Sequence, residues 1–428
     1  MPSISKVIER LVYNRLYKFI TKHNLLYSNQ YGFRSNHSTY MAAISLIDKI
    51  SQGIDNKLTK AGIFIDLSKA FDTIDHNILM KKLFAYGVRG VAFDWFQNYL
   101  LDRCNYVQFN HSASHRKLCN IGVPQGSILG PLLFILYIND IYRSSEKLSF
   151  ILFADDTTVF LQNTNLAQVL TDISYEFSQV SEWLRSNRLS LNILKTKLII
   201  FDNKISDTSN VSVSLDGHEV KASDQAKFLG ITIDRKLSWK EHLSVVSSRV
   251  SRSNGIINRL KHFLPTHALL LLYNALILPH LNYSLLLWGN SNITSLSNLY
   301  KIQKRAARNI CHAPYRACSH PLFRNLGILT IYDLYKYQLG IFVFKSRHGI
   351  LPSPFDNFYT YNSSFHSYNT RSKHFLNQPY VRTKLAHSQL RSTGVQFWNS
   401  LPPYITNTQS MQTFKKKLKN YLLLNSST

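Results

Sequence analysis

Two adjacent acids, Asp155 and Asp156, stand between two apolar runs within residues 148–161. Runs rich in β-branched and aromatic residues that meet at a short polar step are typical of two strands joined by a tight turn. Two like charges at the tip of a buried hairpin are costly unless a positive charge lies beside them. Because hard divalent cations bind carboxylate oxygens, the pair indicates a metal site, and a solvated Asp-Asp turn is the plain alternative.

A third acid, Asp66, lies near the end of the short apolar run at residues 61–67, which has the profile of a buried strand. If that strand and the hairpin are neighbours in one sheet, three carboxylates meet at one edge. Such a set can hold two Mg²⁺ ions about 3.5–4 Å apart for in-line phosphoryl transfer. The nearby Asp72 and Asp75 are explained by a helix over residues 72–83, in which they cap the start or lie in the first turn.

The size and charge of the chain narrow the classes of function. Its 428 residues suffice for two or three domains, and 45% hydrophobic residues exclude wholesale disorder. Lysine and arginine number 50 against 24 acids, a net charge of +26. A surplus of this size favours a polyanionic partner, with nucleic acid ahead of a membrane, and a basic surface that serves only solubility is the alternative.

The cysteines and the apolar stretches indicate a cellular setting. Four irregularly spaced cysteines fit a reduced intracellular protein. The start of the chain has no secretory signal, and the longest apolar stretch, residues 269–288, is interrupted by polar residues and a proline. We therefore expect a protein of the nucleus or cytoplasm without a membrane span. Zinc is suggested only by a cluster whose spacing matches no common structural site, Cys311, His312, Cys318 and His320.

Hydrophobic periodicity and turn residues predict the elements that must position the acids. The predicted helices cover residues 4–23, 39–54, 72–83, 93–100, 128–141, 166–188, much of 239–326, and 411–424. The predicted strands cover residues 61–67, a pair at 106–109 and 116–121, the hairpin around residues 155–156, a strand at the end of residues 189–201, a hairpin at 211–220, and 228–233. The segment from residue 355 to the last helix is predicted to be loop-like.

Six motifs occur in an order that resembles the reverse transcriptases of non-LTR (LINE-type, jockey-like) retrotransposons. They are QYGFR, FIDLSKAFDTIDH, VPQGSILGPLLFILYINDI, FADDT, WLRSNRLSLNILKTK and FLGI. The resemblance implies an α+β right-hand polymerase fold whose palm is an antiparallel sheet packed on helices. It further implies partial fingers (residues 1–60), the palm (61–236), a basic helical thumb (237–328) and a partly irregular basic C-terminal extension (329–428).

The resemblance assigns catalytic roles residue by residue. Asp66, Asp155 and Asp156 resemble the ligands of two Mg²⁺ ions, for which Mn²⁺ is a possible substitute. Lys195 resembles a lysine that protonates the departing pyrophosphate, a role that requires partial burial; a solvated lysine is the alternative. Phe71 resembles a gate beside the nucleotide sugar, and a core residue at a helix start is its alternative.

Other residues are matched to binding roles. Pro124, Gln125 and Gly126 resemble the loop that contacts template and incoming nucleotide, with an ordinary N-cap turn as the alternative. Phe228, Leu229 and Gly230 resemble a hairpin that grips the primer. Arg34 is expected to contact nucleic acid or to pack the fingers. The expected nucleic-acid contacts of the thumb are Lys301, Lys304, Arg305 and Arg308.

These matches predict an RNA-directed DNA polymerase that acts on an RNA template, a DNA primer or target, and dNTPs. Family members usually carry an Arg-Pro-Ile-Ser-Leu segment just before the residues that open this chain, so we expect a chain truncated at its N-terminus, with incomplete fingers and no endonuclease domain. A catalytically inactive nucleic-acid-binding remnant is the main alternative. A metal-dependent nuclease and a group II intron maturase are weaker ones.

Overall fold

The computed structural model describes residues 3–101, 103–202, 208, 210–291, 293–364 and 372–425. The chain divides into two compact units, residues 1–38 with 59–224 and residues 39–58 with 225–428. We call these the first and the second unit and describe each by itself. The four segments expected from the sequence stay a prediction, because compactness alone assigns no role to either unit.

Helices dominate the second unit and flank the sheet of the first. In chain order they are α1 (Ser3–Lys22), α2 (Thr39–Asp55), α3 (His76–Ala85), α4 (Val91–Leu100), α5 (Gly130–Ile138), α6 (Leu166–Ser186), α7 (Lys240–Leu260), α8 (Thr266–Leu276), α9 (Leu278–Asn282), α10 (Leu285–Trp288), α11 (Ile293–Ile310), α12 (Ser319–Leu326), α13 (Ile331–Arg347), α14 (Lys384–Ser388), α15 (Leu390–Ser400), α16 (Pro403–Thr406) and α17 (Met411–Leu424). Short 3₁₀ turns lie at Asn139–Ser144, Ser353–Phe355 and Asn362–Ser364.

The strands are β1 (Thr59–Ile65), β2 (Cys104–Asn105), β3 (Gln108–Phe109), β4 (Ser112–Ala113), β5 (Lys117–Leu118), β6 (Ser149–Phe153), β7 (Asp156–Asn163), β8 (Lys197–Phe201), β9 (Ser212–Leu215), β10 (His218–Lys221), β11 (Gln225–Phe228) and β12 (Ile231–Asp234). The main sheet has the order β6-β7-β1-β8, and its neighbouring strands are antiparallel. The remaining strands form two-stranded pairs.

The core of the first unit lies against the main sheet. All seven residues of β1 are buried, because β7 and β8 pair with its two edges and its faces are covered. Helix α5 is apolar on every side, and all of its residues except Pro131 are buried. A helix that is apolar all round belongs in a protein interior. Pro131 lies in the first turn, as predicted. The N–H groups of a first turn have no partner within the helix, so the missing N–H of proline costs no hydrogen bond there.

Helix α3 begins later than predicted. Its N-cap is Asp75, whose carboxylate accepts a hydrogen bond from the backbone N–H of Ile78 at 3.0 Å. The prediction that Asp72 or Thr73 opens the helix is wrong, because residues 68–73 form turns. Asp72 accepts a hydrogen bond from the Gln125 side chain instead. Asp75 therefore provides an acceptor for one of the backbone N–H groups that have no partner within the helix at its start.

Two strand predictions are also corrected. Residues 106–109 do not pair with residues 116–121: β3 pairs with β4, and β2 pairs with β5, in small exposed hairpins. Residues 228–233 are not one strand, because the chain turns at Leu229 and Gly230, which have φ angles of +45° and +79°. Apolar alternation continues across that turn, so periodicity alone does not reveal it.

In the second unit, α7 packs against α8 and α11, and α13 packs against α15 and α17. Helix α2 is linked to the C-terminal part of this unit by an ion pair and by hydrogen bonds between residues that are far apart in sequence. The Nε of Arg391 lies 2.8 Å from the Asp48 carboxylate, and the Asp55 carboxylate accepts from the Thr383 N–H at 2.7 Å. The expected loop beyond residue 355 is wrong in part, because α15 and its buried Trp398 lie within it; residues 365–371 fall outside the described ranges.

Across the ranges that the structure describes, no helix combines the length and the apolar character needed to cross a bilayer.

We expect Arg391→Ala to destabilise the second unit by about 2 kcal/mol, since it leaves the largely buried Asp48 carboxylate without its partner. Chemical denaturation followed by circular dichroism measures the change. Arg259→Ala, at an exposed position of α7, is the matched control and should stay near the wild-type value. Equal stabilities of the two variants would contradict the prediction.

Candidate functional site

The turn between β6 and β7 carries the two adjacent acids. Phe153 pairs with Asp156, so Ala154 and Asp155 form a two-residue turn. Ala154 has a φ of +55°, a left-handed value that favours glycine and that tight hairpins often require. The predicted hairpin is confirmed, with Asp155 in the turn and Asp156 as the first residue of β7.

Asp66 lies at the same end of the sheet. The pairing of β1 with β7 ends at Ile65, which lies opposite Thr157. Asp66 comes directly after Ile65, and Asp156 comes directly before Thr157, so both acids lie one position beyond this last pair. The backbone of Asp66 is fixed on the other side, where its carbonyl accepts from the Asn192 N–H at 2.9 Å. The structure therefore brings the three predicted acids to one end of two neighbouring strands.

The three carboxylates repel one another. The pKa of Asp156 is raised from 3.8 to about 6, first by burial and then by the negative charges of Asp155 and Asp66. Even so, no group of three or more His, Cys, Asp or Glu side chains in the described ranges is close enough to form a ready-made metal site. The role of the three acids as metal ligands therefore stays a prediction. The mutual repulsion of the three negative charges opposes their close approach, and a bound cation would offset that repulsion.

Lys195 forms an ion pair with Asp66. Its Nζ lies 3.7 Å from Asp66 Oδ2, while 70% of the lysine side chain and 37% of the aspartate side chain are exposed. An ion pair this exposed contributes little to stability. The partial burial that a proton-donor role requires is not present, so the geometry favours the solvated alternative.

Phe71 lies in the turn that precedes α3, not at a helix start. Its ring stacks on the buried Phe134 at 4.3 Å between centroids, and the ring of Phe33 meets it edge-on at 6.2 Å. Phe71 is only partly buried, so one part of the ring anchors in the core while another part stays accessible. That arrangement suits a rigid steric wall.

The Pro124–Gly126 loop is fixed to the same turn. The Gln125 amide donates to the Asp72 carboxylate at 2.9 Å, and the Val123 N–H donates to the Phe71 carbonyl at 3.0 Å. Gly126 has a φ of +77° and open space around it. A cavity of about 570 Å³ borders this loop, and its lining includes Asp72, His76, Arg103, Gly122, Pro124 and Gln125.

The second unit carries the other predicted contacts. Phe228, Leu229 and Gly230 form the β11–β12 turn, and the Tyr283 hydroxyl donates to the Leu229 carbonyl at 2.5 Å. On α11, two of the predicted basic side chains are exposed and two are partly engaged within the unit. Lys304 lies over the Tyr300 ring and Arg308 donates to the Ala317 carbonyl, whereas the exposed pair is Lys301 and Arg305.

Arg34, in the first unit, packs its own loop. Its Nη1 donates to the carbonyls of Tyr27 and Gln30 at 2.8 and 3.1 Å, and burial lowers its pKa. These bonds favour the packing alternative over a nucleic-acid contact.

Sequence reasoning missed Gln30, two residues before Gly32. Its side chain accepts a hydrogen bond from the Ala154 N–H, a contact across 124 positions that no local pattern reveals.

We expect Asp156→Asn to raise the melting temperature above about pH 7 and to leave it unchanged below about pH 4. The folded protein raises the pKa of Asp156, so the folded state binds this proton more tightly than the unfolded chain. The resulting stabilisation is present at low pH and is lost as the pH rises through about 6. Thermal melts over this range measure the effect. Asp94→Asn, at an exposed position on α4, should show no such pH dependence; equal behaviour of the two variants would contradict the assignment.

Comparisons with known proteins identify the family of the chain. The family profile described as "Reverse transcriptase (RNA-dependent DNA polymerase)" matches residues 1–233. The chain is 30% identical over 345 residues to a probable RNA-directed DNA polymerase from transposon BS of Drosophila melanogaster, covering 77% of this chain and 38% of that protein.

Two further Drosophila melanogaster relatives are the X-element polymerase (28% identity, 78% of this chain, 37% of the relative) and the jockey polymerase (27%, 78% and 37%). The chain thus spans less than two fifths of the length of these relatives. Among solved structures, Candida tropicalis telomerase is a distant likeness, with 14% identity, a TM-score of 0.39, and coverage of 76% of this chain and 53% of that one. Because the profile covers more than half of the sequence, this chain belongs to the reverse transcriptase family, and it is similar to the polymerases of the BS, X-element and jockey transposons.

Proposed function

We propose that this chain is an RNA-directed DNA polymerase that joins dNTPs to the 3′-hydroxyl of a primer annealed to RNA. The observation that carries the proposal is the position of Asp66, Asp155 and Asp156 at one end of the adjacent strands β1 and β7. The raised pKa of Asp156 supports it, because crowded carboxylates are the ordinary signature of a site that works with added positive charge.

The donor set fits a hard divalent cation. Carboxylate oxygens are the ligands that Mg²⁺ and Mn²⁺ prefer, and Asp66, Asp155 and Asp156 would hold them. When bound, two such ions lower the pKa of the primer hydroxyl and neutralise charge on the triphosphate and the leaving pyrophosphate. The chain's own part is to keep the three carboxylates on rigid, paired backbone, which a strand end and a two-residue turn provide.

Selection of deoxynucleotides is assigned to Phe71. Its ring is anchored by Phe134 and therefore resists displacement by an additional hydroxyl. A ribonucleotide whose 2′-hydroxyl points at this ring meets a wall that cannot accept a hydrogen bond. The adjoining Gln125 and Gly126 line the approach to the same turn, where an open glycine lets a ligand come close to the backbone.

We assign the contacts with the template and the primer to two features of the second unit, the basic residues of α11 and the β11–β12 hairpin. The exposed Lys301 and Arg305 of α11 suit contacts to phosphates, which position a duplex without reading its sequence. The turn at Leu229 and Gly230 exposes backbone that suits a primer strand, and Tyr283 fixes its conformation.

A catalytically inactive nucleic-acid-binding protein is the second candidate. It is favoured by the net charge of +26. Its signature is RNA binding that weakens steeply with salt, since released counterions drive the association, together with no extension of a primer.

Asp155→Asn is expected to lower primer extension on an RNA template by about a hundredfold or more, because it removes one charge from the proposed ligand set. Extension is measured with purified protein, a primed RNA, dNTPs and Mg²⁺. Asp94→Asn is the matched control and should extend like the wild type. No extension by the wild type, combined with salt-sensitive RNA binding, would favour the second candidate.

Phe71→Val is expected to raise the relative kcat/KM for ribonucleotides by about tenfold or more, because a smaller side chain leaves room for the 2′-hydroxyl. Single-nucleotide incorporation with dATP and ATP measures the ratio. The control Phe263→Val changes an exposed phenylalanine that is outside this turn. An unchanged ratio in Phe71→Val would remove the gate role.

A further inference from the structure

The loop segment at residues 29–32 lies directly against the β6–β7 hairpin. The Leu152 N–H donates to the Asn29 carbonyl at 3.0 Å, and the Tyr31 N–H donates to the Leu152 carbonyl at 2.7 Å. These two bonds form a parallel bridge between Gln30 and Leu152. Because β6 is an edge strand of the main sheet, the segment adds a short strand-like cover beside the turn.

The side chain of Gln30 continues this contact to the turn itself. Gln30 is fully buried, and its Oε1 accepts hydrogen bonds from two backbone N–H groups, Gly32 at 2.8 Å and Ala154 at 3.2 Å. One oxygen therefore joins the loop to the first residue of the turn that carries Asp155. Two donors that point at the same atom also fix its identity as oxygen rather than nitrogen.

Gly32 allows this approach. A Cβ at this position would lie 2.3 Å from the backbone nitrogen of Ala154, far inside any real contact. Its φ is not in the left-handed region, so the requirement for glycine is one of space rather than of backbone conformation. A larger residue would push the loop away from the turn and would stretch the bond from Ala154 to Gln30.

The arrangement costs stability, which argues for a role beyond packing. Gln30 Nε2 is buried and has no hydrogen-bond partner within the described part of the chain. An apolar side chain of similar size would avoid that cost. Ala154 adds to it, because a φ of +55° is unfavourable for a residue with a Cβ. A strained turn stays in one geometry only where neighbouring groups hold it there.

We propose that Gln30 is a positioning residue for the acidic turn: through its Oε1 it holds Ala154, and thereby the direction of the Asp155 carboxylate, while Gly32 provides the space for this contact. The inference rests on the proposed polymerase function for its consequence, but its geometric part concerns only the loop and the turn. Partners that orient metal-binding groups from behind commonly change metal affinity or activity by about 10–100-fold when removed.

Hydrogen exchange at the Ala154 amide tests the geometric part without any need for activity. Gln30→Met keeps the length of the side chain and removes the acceptor, so the Ala154 amide should exchange at least about tenfold faster than in the wild type. Gln30→Glu keeps an acceptor oxygen and should retain slow exchange. The matched control is Gln168→Met, at an exposed glutamine of α6, and should leave Ala154 unchanged.

Binding of Mn²⁺ alone, followed by electron paramagnetic resonance, tests the functional part. Gln30→Met is expected to weaken binding about tenfold and to lower kcat for primer extension more than it raises KM for the dNTP. Gln30→Glu should recover part of the lost kcat. Wild-type protein that neither binds Mn²⁺ nor extends primers would defeat the proposed function, whereas the exchange result would still decide the contact.

Gly32→Ala tests the same contact from the other side. It should speed exchange at Ala154 and weaken Mn²⁺ binding, whereas Gly255→Ala, in a helix with open space around the glycine, should do neither. Unchanged exchange at Ala154 in Gln30→Met would overturn the proposal. So would equal losses of melting temperature and activity in Gln30→Met and Gln30→Glu, because a contact that acts only through stability would give that result.

Discussion

The antiparallel pairing of β1 with β7 is the constraint on which the candidate site depends. Ile65 lies opposite Thr157, and Phe153 lies opposite Asp156, so two registers together bring Asp66 to the end of the sheet that carries the turn. Side chains alternate between the faces of a strand, and a slip of one residue would send Asp66 to the opposite face. The complete burial of β1 opposes such a slip, because the core would lose its fit along seven residues.

Electrostatics works against the same arrangement. Burial and two neighbouring acids raise the pKa of Asp156, and the exposed Lys195 is an ion-pair partner of Asp66. The fold therefore maintains a local concentration of negative charge within a chain whose net charge is +26. Packing provides the free energy for this, since β1, α5 and α6 bury apolar side chains around the strands that carry the acids.

The sequence was sufficient for the hairpin at Asp155, for the strand before Asp66 and for the apolar helix α5, since each has a strong local pattern of apolar residues and turn signals. It was insufficient at local turns and element ends that apolar periodicity does not mark, and where the deciding partner is distant. The start of α3 at Asp75, the pairing of β3 with β4 and the turn at Gly230 depend on contacts that periodicity does not encode. Gln30 shows this most clearly, because its acceptor oxygen serves a turn 124 residues further along.

The ion pair between Asp48 and Arg391 joins residues 343 positions apart, and Asp55 meets Thr383 across 328 positions. During synthesis, residues 1–38 and 59–224 are complete long before those partners leave the ribosome. Helix α2 is translated before either partner, so Asp48 and Asp55 stay without Arg391 and Thr383 until 343 and 328 further positions have been added. Nascent chains therefore pass through a stage in which two carboxylates of this helix lack the partners that they have in the folded protein.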